Sequence, residues 1–274
     1  MMAHSLGLSG SVILSDPNKL PDLFTYEMIN HIEIGEFPDE AAFHQFLHLK
    51  RKENVTYGIH SPLLRNMSKY DLLEKVQFEP EEAWEQFESE VEAMARLGAA
   101  YILVHFPYFK EEKDTDTVDI IESGLKKFHQ LQERYAIPIV CEPKLGHNRS
   151  PFGIQALDRF PLETWNKYGI KLCIDVGDYL LATDSDALNY VKKWRDHIKV
   201  VHLHHVEFHG EKYIWVPVHQ SYEVIDSHFQ IKGLIKQLAK SPDVFFIFEH
   251  TPHSKPTRAF VEEGIQWVKE LINN

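Results

Sequence analysis

Short apolar runs alternate with longer amphipathic segments along this chain of 274 residues, and that alternation limits the available folds more than any other feature. The short runs, many of them β-branched, are Leu6–Leu8 (or Val12–Leu14), His31–Ile34, Val55–Ile59, Tyr101–His105, Pro138–Glu142, Lys171–Asp175, Lys199–His204 and Val244–Glu249. Apolar residues recur at helical spacing in Glu81–Leu97, Thr117–Tyr135, Asp186–Trp194, Ile231–Lys240 and Thr257–Ile272. The first of these, EEAWEQFESEVEAMARL, has acids in its first turn and Gly98 just past its end, which fits both helix termini. Repeated strand–helix units predict a parallel sheet, whose strands are buried on both faces and need not alternate, as in FFIF. About eight units at this length predict closure into a (β/α)8 TIM barrel, one domain over 1–274. An open doubly wound sheet is the alternative, and no GxGxxG follows the first run to favour it.

The runs end in an unusual way. TYGIH stops at His60, YILVH at His105, IPIVCE at Glu142, KLCID at Asp175, KVVH at His202 and FFIFE at Glu249. A single acid or histidine at a strand end is ordinarily a cap or a packed polar group. Six in succession would converge at the C-terminal mouth of a barrel. Carboxylates gathered there repel and desolvate one another unless a cation lies among them, and a divalent metal accepts imidazole and carboxylate together. His204 shares the facing of His202 and is a reserve ligand, whereas His205 and His209 read as loop residues. By the same period of two, Cys173 lies in the barrel core under Asp175, and Cys141 faces the helices.

Composition narrows the partners. The formal charge is −12, and the basic clusters Lys50-Arg51-Lys52, Lys126-Lys127 and Lys192-Lys193 are short, so nucleic acid and anionic membranes are not expected partners. No apolar run is long enough to span a bilayer, and MMAHSLGLSGSVIL lacks the basic start of a signal peptide. Two cysteines make no disulfide framework, and a cytoplasmic location is expected. Trp165, Trp194 and Trp267 are read as helix-to-barrel packing, with a homo-oligomer interface as the alternative. Trp215 falls in a long loop near His219 and is positioned to cover a substrate.

GIHSPLLRN, AAYILVHFP, CEPKLGHNRSPFG, KLCIDVGD, KVVHLHH and FFIFEH, in this order and spacing, resemble the xylose isomerase-like TIM-barrel superfamily. That group includes sugar isomerases and epimerases and the endonuclease IV type of AP endonuclease (AP endonuclease family 2). The resemblance covers nearly the whole chain. It implies that Glu142, Asp175, His202 and Glu249 hold a catalytic metal, and that His60 and His105 hold a further one while sharing Glu142. In the three-zinc nucleases a histidine stands three residues after the aspartate, followed later by Asp-x-His. Here Asp178 takes the first place and Pro217-Val218-His219 the second, so the third site is impaired. Asp178 and His219 remain as candidates for a metal or for substrate hydroxyls.

Two activities follow as expectations. The first is a metal-dependent isomerase or epimerase acting on a sugar or sugar phosphate, with Glu142 and Glu249 as the proton-transferring pair through an enediolate. One or two ions (Zn, Mn, Mg or Co) would serve it. Lys144, His147 and Arg149, in the loop after the fifth strand, would read substrate hydroxyls or a phosphate, with Trp215 as a cover. The alternative is an endonuclease IV-like zinc phosphodiesterase acting on abasic DNA. It needs a basic, aromatic-bearing rim, and Tyr108-Phe109 is followed at once by Lys110-Glu111-Glu112.

Overall fold

The computed structural model describes residues 4–110, 117–183, 186–210, 212–225 and 229–273, apart from the side chain of His147. Eight parallel strands close into a barrel: β1 (Ser5–Ser9), β2 (His31–Ile34), β3 (Thr56–His60), β4 (Ile102–His105), β5 (Ile139–Glu142), β6 (Lys171–Asp175), β7 (Ile198–Leu203) and, after an inserted hairpin, β10 (Phe245–Phe248). Their order around the ring is β1-β10-β7-β6-β5-β4-β3-β2. The register sets strand ends side by side, with His105 opposite Glu142 and Asp175 opposite His202. The expected barrel is therefore the observed one.

The first strand is the Ser5–Ser9 segment, over Leu6–Leu8 rather than Val12–Leu14. The latter begins in a 3-10 turn, Gly10–Ile13, whose Ser11 amide donates to Ser9 Oγ at 3.2 Å. The helices read from periodicity appear within a residue or two, as α2 (Pro80–Leu97), α3 (Val118–Tyr135), α7 (Ala187–Lys193), α8 (Lys232–Leu238) and α9 (Arg258–Asn273). Among the described residues the shell also has α1 (Glu40–Lys52), α4 (Phe152–Asp158), α5 (Leu162–Tyr168) and α6 (Val176–Thr183). In α2, Ala83, Phe87, Val91 and Met94 form the buried stripe, and Gly98 ends the helix at φ 74°. Trp165 and Trp194 are fully buried and stack 5.0 Å apart, so these rings pack helices onto the barrel. Among the described residues, no helix is long and apolar enough to cross a membrane.

One expectation needs correction. The stretch after β7 is not a loop. His205–His209 (β8) and Lys212–Val216 (β9) form an antiparallel hairpin, with Gly210 at φ 66° in the turn. His205 is consequently a buried strand residue, 1% exposed, whose ring packs on Tyr222. Burial is graded along the hairpin, from His205, Val206 and Val216 buried at its base to Phe208, His209 and Lys212 exposed near the turn.

The barrel interior is layered by the period of two. Tyr101, Leu103, Val140, Cys173, Val200 and Ile247 form an apolar cluster inside the ring, whereas Cys141 packs outward with the helices. Burying each large aliphatic side chain stabilises the fold by roughly 1.5–3 kcal/mol. Gly58 leaves the room that the Tyr101 ring fills, since a Cβ there would sit 2.4 Å from Tyr101 Cζ. Two residues above Leu103, Val140, Cys173, Val200 and Ile247 stand His105, Glu142, Asp175, His202 and Glu249. An oily layer thus lies directly under a polar ring.

Candidate metal centre

His60, at the end of β3, and His105, at the end of β4, bring their Nε2 atoms within 2.9 Å of each other. Glu142 Oε2, from β5, lies 3.5 Å from the first and 3.2 Å from the second. Across the ring, His202 Nδ1 stands 2.8 Å from Glu249 Oε2 and 3.8 Å from Glu142 Oε1. Asp175 Oδ1, at the end of β6, accepts from His204 Nε2 at 3.0 Å and from the Asp178 amide at 2.7 Å. The close approach of α6 to His204 depends on Gly177, where a Cβ would meet His204 Cε1 at 2.1 Å. All six strand-end residues predicted as ligands therefore converge, together with His204.

The electrostatics are those of a crowded anionic pocket compensated by cations. Burial alone would raise the Glu142 carboxyl, but Lys144 and His105 hold it well below the usual carboxylate range. Lys144 Nζ bridges Glu142 Oε1 at 3.0 Å and Asp178 Oδ2 at 2.9 Å, and these acids raise its pKa against the opposing effect of burial. Asp178 is raised to about 6, first by burial and then by Asp175. Burial pushes His105 down to about 3 and keeps it neutral. Burial also opposes charge on His202 and His204. Cys173, Glu249 and Glu33 overcome it at His202, and Asp175 does so at His204, so both imidazoles are raised.

Among the described residues, four donor groups have atoms mutually within 4.8 Å: His60-His105-Glu142, Glu142-Asp175-His202, Asp175-His204-Glu249 and Glu33-His60-His202. Glu142 Oε2, His202 Nδ1 and His204 Nδ1 are buried without a hydrogen bond of acceptable geometry. Buried polar atoms in native proteins are nearly always bonded, and mixed imidazole and carboxylate donors without thiolate are the ligands of Zn, Mn, Co or Mg. The residues therefore fit a divalent cation.

The ring opens into a cavity of about 440 Å³, which His60, His105, Glu142, Lys144, Asp175, Trp215 and Glu249 help to line. Trp215 comes from β9 and packs on the His204 ring with centroids 4.0 Å apart. Not every predicted residue reaches this space. Arg149 places its guanidinium over the Tyr213 ring at 4.2 Å and is not among the lining residues. His219 is held by Ser221 Oγ at 2.7 Å and Glu263 at 3.2 Å, stacks on Phe260, and lines a separate surface hollow along α9. The expected nearness of Trp215 and His219 in one site is thus corrected: the hairpin carries Trp215 over the barrel, while the chain after β9 runs out against α9. The side chain of His147 lies outside the described residues.

The structure also adds residues that were not anticipated. Glu33, fully buried on β2, is 2.7 Å from His202 Nε2 and 3.5 Å from His60 Nδ1. Its signal was an acid inside the apolar run HIEI, on the facing of His31. Ser9, Arg65, Lys69 and Tyr70 also line the cavity. Arg65 ties three loops together, donating to the carbonyls of Glu36 at 2.8 Å, Leu14 at 3.0 Å and Ser15 at 3.3 Å.

Residues 25–271 match the family model of the xylose isomerase-like TIM barrel. The chain belongs to that family. A search of curated proteins finds no match. Among solved structures, the chain is similar to the 3-keto-D-glucoside 4-epimerase YcjR from E. coli, at 12% identity and TM-score 0.68, covering 98% of this chain and 100% of that one. It is similar to a xylose isomerase-like TIM barrel protein from Mycobacterium smegmatis in complex with magnesium, at 10% identity and TM-score 0.64, covering 99% and 97%. It is also similar to an AP endonuclease, family 2, from Brucella melitensis, at 12% identity and TM-score 0.60, covering 98% and 99%. At such identities the likeness is one of fold, and the site must argue the chemistry.

Proposed function

We propose that this xylose isomerase-like barrel is a divalent-metal-dependent isomerase or epimerase acting on a sugar or sugar phosphate. One observation carries the reading. Glu142 and Glu249 enter the same cavity from strands on different sides of the ring, 3.8 Å and 2.8 Å from His202 Nδ1. Two carboxylates so placed can face the two sides of one substrate carbon.

Glu142, Asp175, His202 and Glu249 would hold the metal, with His60, His105 and His204 as further donors. When bound, the metal supplies Lewis acidity to a substrate carbonyl and its neighbouring hydroxyl. One carboxylate removes the proton next to that carbonyl, giving an enediolate, and the other returns a proton to it. Lys144, beside Glu142, keeps that carboxyl ionised and offers a cationic donor to substrate oxygen. Trp215 covers the opening. Similarity to a sugar epimerase supports the reading, and a magnesium-holding relative of the same fold supports the cofactor.

The test is solvent exchange. Metal-loaded protein is incubated in D₂O with a panel of ketoses, aldoses and their phosphates, and deuterium at the carbon beside the carbonyl is read by NMR. Incorporation that disappears in Glu142→Gln supports the reading, and its absence across the panel with every metal would remove it.

A second reading has one specific observation in its favour. His60, His105 and Glu142 form a donor group of their own and would hold a second ion, which would supply the hydrolytic chemistry of a zinc phosphodiesterase. The Lys144 ammonium on Glu142 and the removal of His219 to α9 weigh against it. Cleavage of an abasic duplex by the zinc-loaded protein would support this second reading.

A further inference from the structure

Beneath the polar ring a file of hydrogen bonds runs down the barrel axis. His202 Nε2 lies 2.7 Å from Glu33 Oε1, and the Tyr101 hydroxyl donates to Glu33 Oε2 at 2.8 Å. His31 Nε2 is 3.2 Å from the Tyr101 oxygen, and His31 Nδ1 is 2.8 Å from Thr56 Oγ1 near the opposite end of the barrel. Burial pushes His31 down to about 3, so it carries a single N–H. Burial and Glu33 raise the Tyr101 phenol well above its usual range, so it keeps its proton. Tyr101 donates its proton to Glu33 Oε2, and its oxygen faces His31 Nε2, while Thr56 Oγ1, which donates to the Asn30 carbonyl at 3.1 Å, faces the other ring nitrogen. The file ends on Glu33.

Glu33 is also approached from above. Besides His202, His60 brings Nδ1 to 3.5 Å from Glu33 Oε1. Tyr101 donates to Oε2, so Oε1 is the acceptor that faces the two rings, and each ring turns an N–H toward it. For His202 the bonded nitrogen is Nε2, which leaves Nδ1 toward Glu142 and Glu249. For His60 it is Nδ1, which leaves Nε2 toward His105 and Glu142. One acid thus engages opposite nitrogens of the two histidines, Nε2 of His202 and Nδ1 of His60, and leaves the other nitrogen of each facing the cavity, where a cation would replace its proton.

We infer that Glu33 is a positioning residue: from under the ring it fixes which nitrogen of His60 and which of His202 is presented to a cation. The inference rests on the reading of the ring as a metal centre. It says that Glu33 acts through its acceptor oxygens on the two rings and is not itself a ligand, although it lies within ligand range of both. Hydrogen-bonded partners of metal-bound histidine act in this way generally.

The test uses zinc as the probe. In zinc-loaded protein with ¹⁵N-labelled histidine, long-range proton–nitrogen spectra identify the coordinated nitrogen, expected as Nδ1 for His202 and Nε2 for His60. Zinc affinity is then compared by chelator competition in Glu33→Met and Glu33→Gln. Methionine keeps the bulk and removes the acceptor, so affinity is expected to fall about 10- to 100-fold. Glutamine keeps one acceptor oxygen for the two rings and is expected to restore most of the loss. Coordination through the opposite nitrogens would overturn the inference even if Glu33→Met did not fold. So would wild-type affinity in Glu33→Met, or loss of one whole ion in both variants, which would make Glu33 a ligand. A wild-type protein that takes up no zinc would instead overturn the metal reading and this inference with it.

Discussion

Two levels of the same barrel can be compared strand by strand. In five strands the residue pairs are Leu103 and His105, Val140 and Glu142, Cys173 and Asp175, Val200 and His202, and Ile247 and Glu249. The lower member of each pair sits in a dry cluster, and the upper member enters the cavity ring. A step of two residues changes everything about the role of a side chain. The lower level contributes to stability by burial. The upper level gathers acids and imidazoles whose mutual repulsion must be offset by protons, by Lys144 or by a metal.

The two levels should therefore fail differently. The largest effect belongs above. Glu142→Gln removes an anion shared by Lys144, His60 and His105, and it is expected to lower solvent exchange by about a thousandfold or more. Thermal unfolding of the chelated protein should change less, because Lys144 keeps Asp178 as a counter-ion at 2.9 Å and one anion leaves a crowded acidic ring. Leu103→Ala should do the reverse. Truncating a fully buried leucine in the inner cluster costs about 2–5 kcal/mol of unfolding free energy, read from urea midpoints, while zinc stoichiometry stays the same. If Leu103→Ala emptied the metal centre while remaining folded, the two levels would not be separable.

Acid sharpens the comparison because each level holds a buried neutral histidine pushed to about 3, His31 below and His105 above. Unfolded histidine titrates near 6.5, so between about pH 6.5 and 3 the unfolded chain binds a proton that the folded one refuses. The stability tied to each group is complete above that window and falls with pH by about 1.4 kcal/mol per unit inside it. His31→Phe should remove one group's share of this slope in chelated protein. Zinc should steepen the acid loss through the upper level, since ligands must be deprotonated to bind. An unchanged slope in His31→Phe would mean that His31 is charged in the fold and donates from both ring nitrogens.

The contrast also explains what could be read in advance. Strand ends were legible because His60, His105, Glu142, Asp175, His202 and Glu249 each follow an apolar run, and register then brings them level. Cys173 and Cys141 could be sorted by the period of two alone. Glu33 was missed because it lies inside its run, one residue short of the end of β2, where a charged side chain looks like an interruption. Its partners are His202 and Tyr101, distant in sequence, and nothing local announces them. The hairpin and the departure of His219 were hidden for the opposite reason. They depend on where the chain goes after the barrel strand, which hydrophobic period does not encode.

The smallest effect is expected from Trp215, which belongs to neither level. It sits on the rim hairpin, half-buried, against His204 and, at 4.8 Å, Tyr213. Its contribution is a flat apolar face at the mouth, suited to the C–H side of a sugar ring. Such aromatic contacts amount to roughly 0.5–1.5 kcal/mol beyond simple burial. Trp215→Ala should thus raise KM about two- to tenfold with kcat nearly unchanged, because the contact is made equally before and during proton transfer. The fold should tolerate it, since the hairpin lies outside the barrel ring. A hundredfold fall in kcat would give a different lesson: the indole would be holding the His204 imidazole on Asp175, and the rim would have to be counted with the ring.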